Sequence, residues 1–142
     1  MPMSVRRIWS FLADRRGQVR QESDLAASFV VLAGAGGEPA GPAQAARLIN
    51  VSAGGGCLAL ASLAVGQFHL TRCLEAPEEH PLLLTVQASG GHAWRLRGWV
   101  RWTNRELQPA DEAMPFRAGL QWEPGSGPPR GWQKQLARTT SD

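Results

Sequence analysis

Apolar and polar residues alternate along most of the chain between residues 25 and 122, and a period of two is typical of β-strands that bury one face. Glycines and prolines separate these alternating stretches, and no long helical pattern lies between them. The predicted strands cover residues 25–32, 44–51, 57–61, 68–74, 82–86, 93–103 and 116–122. Six or seven short strands in this arrangement predict an all-β fold, either an antiparallel barrel or a sandwich.

The longest predicted strand, residues 93–103, divides its side chains between two faces of different character. One face carries Trp94, Leu96, Gly98, Val100 and Trp102, and the other carries Arg95, Arg97, Trp99 and Arg101. Because successive side chains of a strand point to opposite faces, this parity places Trp102 in the core or at the barrel rim. It leaves Trp99 pointing outward between arginines.

Both ends of the chain depart from the strand pattern. Apolar residues recur at helical spacing in residues 4–13, which predicts one short amphipathic helix that packs on its own domain or docks elsewhere. Residues 14–23 show no apolar periodicity and are expected to form a solvated arm. The chain is therefore divided into an N-terminal helix and basic arm (1–23), a β-domain (24–125) and a C-terminal tail with one or two possible helical turns (126–142).

Positive charge is concentrated near the N-terminus. The 142 residues carry a formal net charge of +3, yet residues 1–20 hold five arginines against one acidic residue. Lys134 is the only lysine, so nearly all of the positive charge is carried by guanidinium groups, which bind phosphates and guanine edges well. A short basic arm suits a small polyanion or an anionic surface better than a DNA-coating role, so no DNA partner is expected.

Catalytic and metal-binding patterns are absent from the sequence. Cys57 and Cys73 lack a metal-ligand spacing, the histidines form no cluster, and Ser52 has no partner at triad spacing. We expect no enzyme activity, no metal and no cofactor. Two cysteines do not provide a disulfide framework, which favours a reducing cytoplasm. The apolar run at residues 8–13 is too short for a signal-peptide core or a membrane span.

Two features carry candidate binding chemistry. The first is the turn Asn50-x-Ser52-x-x-Gly55, in which short polar side chains and three glycines open to positive φ can form an anion-binding nest. A simple hairpin turn is the alternative interpretation. The second is Arg15-Arg16-x-x-x-Arg20, whose guanidinium groups can pair with phosphates or with the O6/N7 edge of guanine.

Together with two later strand patterns, these motifs resemble those of the PilZ domain. The resemblance is carried by Arg16-x-x-x-Arg20, Asn50-x-Ser52-x-x-Gly55, Gly98-x-Val100-x-Trp102 and Phe116-Arg117-Ala118-Gly119-Leu120, and it extends over residues 14–125. PilZ domains are known as bacterial domains that bind cyclic di-GMP on a six-stranded antiparallel barrel. The resemblance implies an all-β, six- to seven-stranded antiparallel PilZ-type β-barrel with short N- and C-terminal helical segments.

The resemblance also implies a role for each motif. The arginines would clamp the guanine bases and phosphates, and the turn residues would meet a guanine from the barrel surface. An aromatic residue beside the base would be Trp102 or, if an outward side chain stacks, Trp99. An arginine directly before the RxxxR element is similar to members that bind an intercalated dimer, so one or two nucleotides per protomer remain open. The implied ligand-binding residues are Arg15, Arg16, Arg20, Asn50, Ser52, Gly55 and Trp102.

A cytoplasmic, non-enzymatic cyclic di-GMP receptor is the function that this resemblance implies. Its N-terminal arm would close over the nucleotide and change what an effector protein contacts, in the control of motility, adhesion or exopolysaccharide. One alternative is a PilZ-fold protein-interaction module that binds no nucleotide. Another is a small barrel that binds single-stranded nucleic acid through Trp99 and its neighbouring arginines.

Overall fold

Six antiparallel strands close into a barrel in the computed structural model, which describes residues 20–34, 37–88 and 91–135. The order of neighbouring strands around the barrel is β1-β2-β3-β8-β7-β6, and β6 pairs with β1 to complete the closure. The strands are β1 (Arg20–Val31), β2 (Gln44–Ser52), β3 (Gly55–Leu60), β4 (Ala64–Val65), β5 (Phe68–His69), β6 (Leu82–Gln87), β7 (Ala93–Arg105) and β8 (Phe116–Trp122). The predicted all-β antiparallel barrel is confirmed, with six strands in the closed sheet.

Inward-pointing side chains fill the barrel with one apolar cluster, because alternate residues of each strand face the interior. Leu48, Leu58, Leu84, Leu96 and Leu120 belong to this cluster, and each is at most 3% exposed. Burying one such side chain stabilises the fold by about 1.5–3 kcal/mol. Closure leaves the six barrel strands without an unpaired edge, so this sheet offers a partner its faces and loops rather than a free strand.

β1 begins at Arg20, five residues before the alternating pattern becomes visible in the sequence. Its first residue pairs with the last residue of β2, so that Arg20 lies opposite Ser52. The register shifts between Glu22 and Leu25, and this bulge interrupts the period of two that would have identified the strand. The prediction of a solvated arm is therefore wrong for residues 20–23, which belong to the barrel.

The segment between β3 and β6 closes one end of the barrel with a short hairpin, β4–β5, the helix α1 (Arg72–Glu75) and a 3-10 turn (Pro77–Glu79). Leu70 and Cys73 are fully buried and three residues apart, whereas Leu74 is 38% exposed. The prediction of a single strand over residues 68–74 is wrong, because a short apolar run does not distinguish a strand from a helical turn.

The C-terminal segment also contributes to the core. Residues 132–135 are helical, and Trp132 is only 7% exposed within the apolar cluster. The indole nitrogen of Trp94 donates a hydrogen bond to Gln135 Oε1 at 2.7 Å. The helical turn predicted after residue 126 is present in this described part. The helix predicted over residues 4–13 and the arm up to residue 19 lie outside the described residues.

Candidate functional site

Two further β-bulges bring predicted site residues onto one face of the barrel. The register of β2 against β3 shifts between Leu48 and Asn50, and that of β7 against β8 shifts between Val100 and Trp102. Each bulge turns the following side chain from the core side to the outer side. The paired residues then form a lateral row across five strands, hereafter the outer row: Glu22, Asn50, Cys57, Gly119 and Trp102.

Trp102 lies on the outer face of the barrel, and the parity prediction that placed it with Val100 in the core or at the rim is wrong. Its partner across the strands is Gly119, whose neighbour Leu120 points into the core. A Cβ atom at position 119 would lie 2.0 Å from Trp102 Nε1, so the indole rests directly on the glycine backbone. Among the described residues, the buried Nε1 has no hydrogen-bond partner.

The hydroxyl of Ser52 is engaged by its own turn. Ser52 Oγ donates to the Gly55 carbonyl at 3.2 Å and accepts from the backbone amides of Gly54 at 3.3 Å and Gly55 at 3.2 Å. Ser52 is 1% exposed, and its carbonyl accepts a 3.0 Å hydrogen bond from Trp122 Nε1 inside the barrel. The hydroxyl therefore satisfies buried backbone groups of the turn, which is the role that the hairpin interpretation assigns to it.

Close approach between strands explains the glycines of this turn. A Cβ atom at Gly55 would lie 2.2 Å from the Leu120 carbonyl oxygen, and one at Gly56 would lie 2.9 Å from the side chain of Trp122. Neither glycine has a left-handed backbone, so the expectation that they adopt positive φ is wrong. Gly55 thus allows β3 to pack against β8, and a side chain at this position would push the two strands apart.

Asn50 and Arg20 reach the site from neighbouring strands. Asn50 is 3% exposed on β2, in the outer row between Glu22 and Cys57. Backbone pairing places Arg20 of β1 directly opposite Ser52 of β2, where the turn begins. Arg15 and Arg16 lie outside the described residues. The structure thus brings Arg20, Asn50, Ser52 and Gly55 together at one end of β1, β2 and β3, with Trp102 farther along the outer row.

A second outward tryptophan, Trp99, sits beside the site on β7. The guanidinium carbon of Arg101 lies 5.5 Å from the centre of the Trp99 ring, and Arg101 Nε donates to Gln121 Oε1 at 2.7 Å. Arg101 is the extra residue of the β7 bulge, so Arg101 and Trp102 both face outward. One face of the Trp99 ring is thereby covered by a cation, which leaves less of it for a stacked base.

Burial raises the pKa of the Cys73 thiol to about 11, so this thiol stays protonated at neutral pH. Within the described ranges, no group of three or more His, Cys, Asp or Glu side chains is arranged to hold a metal ion. The helices among these residues also lack the length and apolar content needed to cross a membrane.

Sequence reasoning missed Cys57 and Gly119 as members of this face. Gly119 belongs to the Phe116–Leu120 pattern, but its role depends on Trp102, which strand parity places on the other side. Cys57 enters the sequence analysis only as a cysteine without a metal-ligand spacing, although it is a 4% exposed side chain between Asn50 and Gly119. The signal for both residues lies in the bulges, which a strict period of two does not reveal.

Comparison with known proteins reveals similarity to a solved structure. No protein-family model matches the chain, and no curated protein matches it significantly. The structure of the Bacillus subtilis inhibitor of motility, MotI/DgrA, is similar with a TM-score of 0.55 and 17% sequence identity, covering 89% of this chain and 50% of that one. This chain therefore spans half the length of that solved chain. At this identity the similarity concerns the fold alone, and it supports a PilZ-like barrel.

Proposed function

We propose that the chain is a non-enzymatic, cytoplasmic receptor for cyclic di-GMP that binds the nucleotide at the end of β1, β2 and β3. The observation that carries this proposal is the pairing of Arg20 with Ser52, which joins the RxxxR element directly to the Asn50–Gly55 turn. The two motifs are far apart in sequence, so their meeting at one point of the barrel is a result of the tertiary fold.

Chain connectivity supports a role for Arg15 and Arg16 at the same place. β1 begins at Arg20, which pairs with Ser52, so Arg15 and Arg16 are five and four residues from that pairing position. A fully extended chain of that length spans at most about 18 Å, which keeps both guanidinium groups within reach of a nucleotide at the turn. Arginine forks pair with phosphates and with the O6/N7 edge of guanine, which are the groups that cyclic di-GMP presents.

The turn residues support the proposal in a more limited way than their motif suggests. The Ser52 hydroxyl already bonds to Gly54 and Gly55, so its role in binding would be to fix the turn against which the nucleotide rests. Trp102 on the outer row would offer an apolar surface to one base. Closure of the arginine segment over the nucleotide would then alter the surface presented to an effector protein, and control of motility fits the similar inhibitor of motility.

A protein-interaction module without nucleotide binding is the second candidate. It is favoured by the burial of Ser52 and Asn50, which are 1% and 3% exposed and have little surface left for a ligand. Under this function the Asn50–Gly55 turn serves the barrel alone, and the outer face contacts a protein.

Isothermal titration calorimetry with cyclic di-GMP separates the two candidates. The receptor predicts saturable heat with one or two nucleotides per protomer, and Arg20→Ala is expected to weaken binding at least tenfold because a charged hydrogen bond contributes about 1.5–3 kcal/mol. Arg72→Ala is the matched control, since Arg72 is exposed on α1 at the barrel end closed by the β4–β5 segment.

The controls fix the interpretation of a negative result. Circular dichroism must show that each variant is folded, and GTP serves as a nucleotide that contains guanine but lacks the cyclic dinucleotide. Absence of heat with folded wild-type protein would refute the receptor and favour the interaction module. Equal loss of affinity in Arg20→Ala and Arg72→Ala would refute the location of the site.

A further inference from the structure

We propose that the outer face of β7 binds an acidic segment of a partner protein. This surface, hereafter the β7 arginine face, consists of Arg95, Arg97, Trp99 and Arg101. β7 carries four arginines and no acidic residue over Ala93–Arg105. The inference is independent of nucleotide binding, since it rests on the charge and geometry of this strand alone.

Arg101 is held in a fixed orientation before any partner arrives. Its Nε donates to Gln121 Oε1 at 2.7 Å, and its guanidinium lies over Trp99 at 5.5 Å. These two contacts use the Nε–H and one face of the planar group, and they leave the terminal N–H groups for a further acceptor. A guanidinium fixed in this way loses less conformational entropy on pairing with a carboxylate, which presents two oxygens in the matching geometry.

The neighbouring side chains leave the positive charge of the β7 arginine face largely uncompensated. On β6, the residues opposite Arg97 and Arg95 are Leu83 and Thr85, both uncharged. On the other side, Arg97 Nε forms an ion pair with Glu123 Oε2 at 2.7 Å. Within the described residues, neither Arg95 nor Arg101 forms an ion pair, and both side chains are exposed.

Spacing along the strand suits an extended acidic peptide. Arg95 and Arg101 are six positions apart, which corresponds to about 20 Å along a strand. An extended segment with acidic residues at alternate positions places carboxylates on one side over the same length. Since β7 is paired on both edges, recognition would use side chains rather than added backbone pairing.

A protein segment fits this face better than single-stranded nucleic acid. Nucleic-acid grooves combine basic residues with aromatic rings that stay open for base stacking. Here Arg101 covers one face of Trp99, the aromatic residue of the β7 arginine face. The available chemistry is therefore a row of charged donors, which matches carboxylates and needs no stacked base.

The test uses fluorescence anisotropy with a labelled peptide of alternating glutamate and serine, against the full chain. We expect saturable binding that weakens as ionic strength rises, because exposed charge pairs are screened by salt. Arg101→Gln and Arg95→Gln are each expected to weaken binding about tenfold, the effect of losing one charge-assisted hydrogen bond. Arg130→Gln is the matched control, since Arg130 is an exposed arginine that does not belong to the β7 arginine face.

Three outcomes would overturn the proposal. The first is no binding of the glutamate peptide by folded protein, when a matched peptide of alternating glutamine and serine serves as the baseline. The second is equal weakening by Arg101→Gln and Arg130→Gln, which would indicate general charge attraction. The third is tighter binding of a single-stranded oligonucleotide than of the peptide at the same ionic strength, which would assign the face to nucleic acid.

Discussion

Replacing Ser52 by alanine tests whether the Asn50–Gly55 turn stabilises the barrel or serves only to bind a ligand. The hydroxyl makes three hydrogen bonds to turn backbone, at 3.2–3.3 Å, and is 1% exposed. Its removal leaves the Gly54 and Gly55 amides without their acceptor in a buried or partly buried place. An unsatisfied buried polar group costs about 1–3 kcal/mol, and the long distances here favour the lower half of that range.

The expected result for Ser52→Ala is a fall in the free energy of unfolding of about 1–2 kcal/mol. For a domain of this size that corresponds to a decrease in Tm of roughly 3–8 °C. Urea denaturation followed by tryptophan fluorescence gives the free energy, and an unchanged m-value shows that the same surface unfolds. A purely ligand-binding serine would instead leave the stability of the ligand-free protein unchanged.

Ser62→Ala provides the matched control. Ser62 Oγ also accepts a backbone hydrogen bond, from the Ala64 amide at 3.0 Å, but in an exposed turn. Water can replace that bond, so we expect a change within about 0.5 kcal/mol. If Ser52→Ala and Ser62→Ala unfold at the same denaturant concentration as the wild type, the assignment of Ser52 to turn stability is refuted.

Three further substitutions test the close contacts and buried groups of the barrel. Gly119→Ala is expected to lower the free energy of unfolding by about 1–3 kcal/mol, because the added methyl group clashes with Trp102. In a Trp102→Ala background this decrease should largely disappear. A decrease that persists there in chemical denaturation would contradict the contact. Gly55→Ala is expected to cost about 3 kcal/mol or more, because the Leu120 carbonyl is rigid backbone, and a wild-type Tm would refute this. Burial raises the pKa of Cys73 from 9.0 to about 11, so the thiol of the unfolded chain loses its proton at lower pH than the folded one, and the free energy of unfolding falls as pH rises across that interval. In alkaline denaturation, Cys73→Ala should lack this part of the fall. A pH profile identical to that of the wild type would count against the prediction.

Local pattern in the sequence was sufficient for most of the barrel. The alternation in residues 82–86, 93–103 and 116–122 identified β6, β7 and β8, because each of these strands buries one face against the core. Turn-forming residues separated them. The motif spacing also selected Asn50, Ser52 and Gly55, which do meet at the end of β2 and β3.

Positions around the bulges were not predictable in this way. A bulge adds one residue to one strand only, and its presence depends on how that strand pairs with its neighbour. Because of three such shifts, the sequence pattern does not show that β1 begins at Arg20 or that Asn50 and Trp102 lie on the outer face. The strand predicted over residues 68–74 failed for a related reason, since only tertiary packing shows that Leu70 and Cys73 share a helical turn.

The sequence by itself therefore determined the all-β class, most of the barrel strands and the residues that merit attention as a site. The tertiary structure alone decided that Arg20 lies against Ser52, that the Ser52 hydroxyl is occupied by its turn, and that Trp99 and Arg101 form an outward pair. Hydrophobic periodicity is a property of one strand, whereas register, bulges and close approach arise between strands. The proposed site depends on those relations between strands.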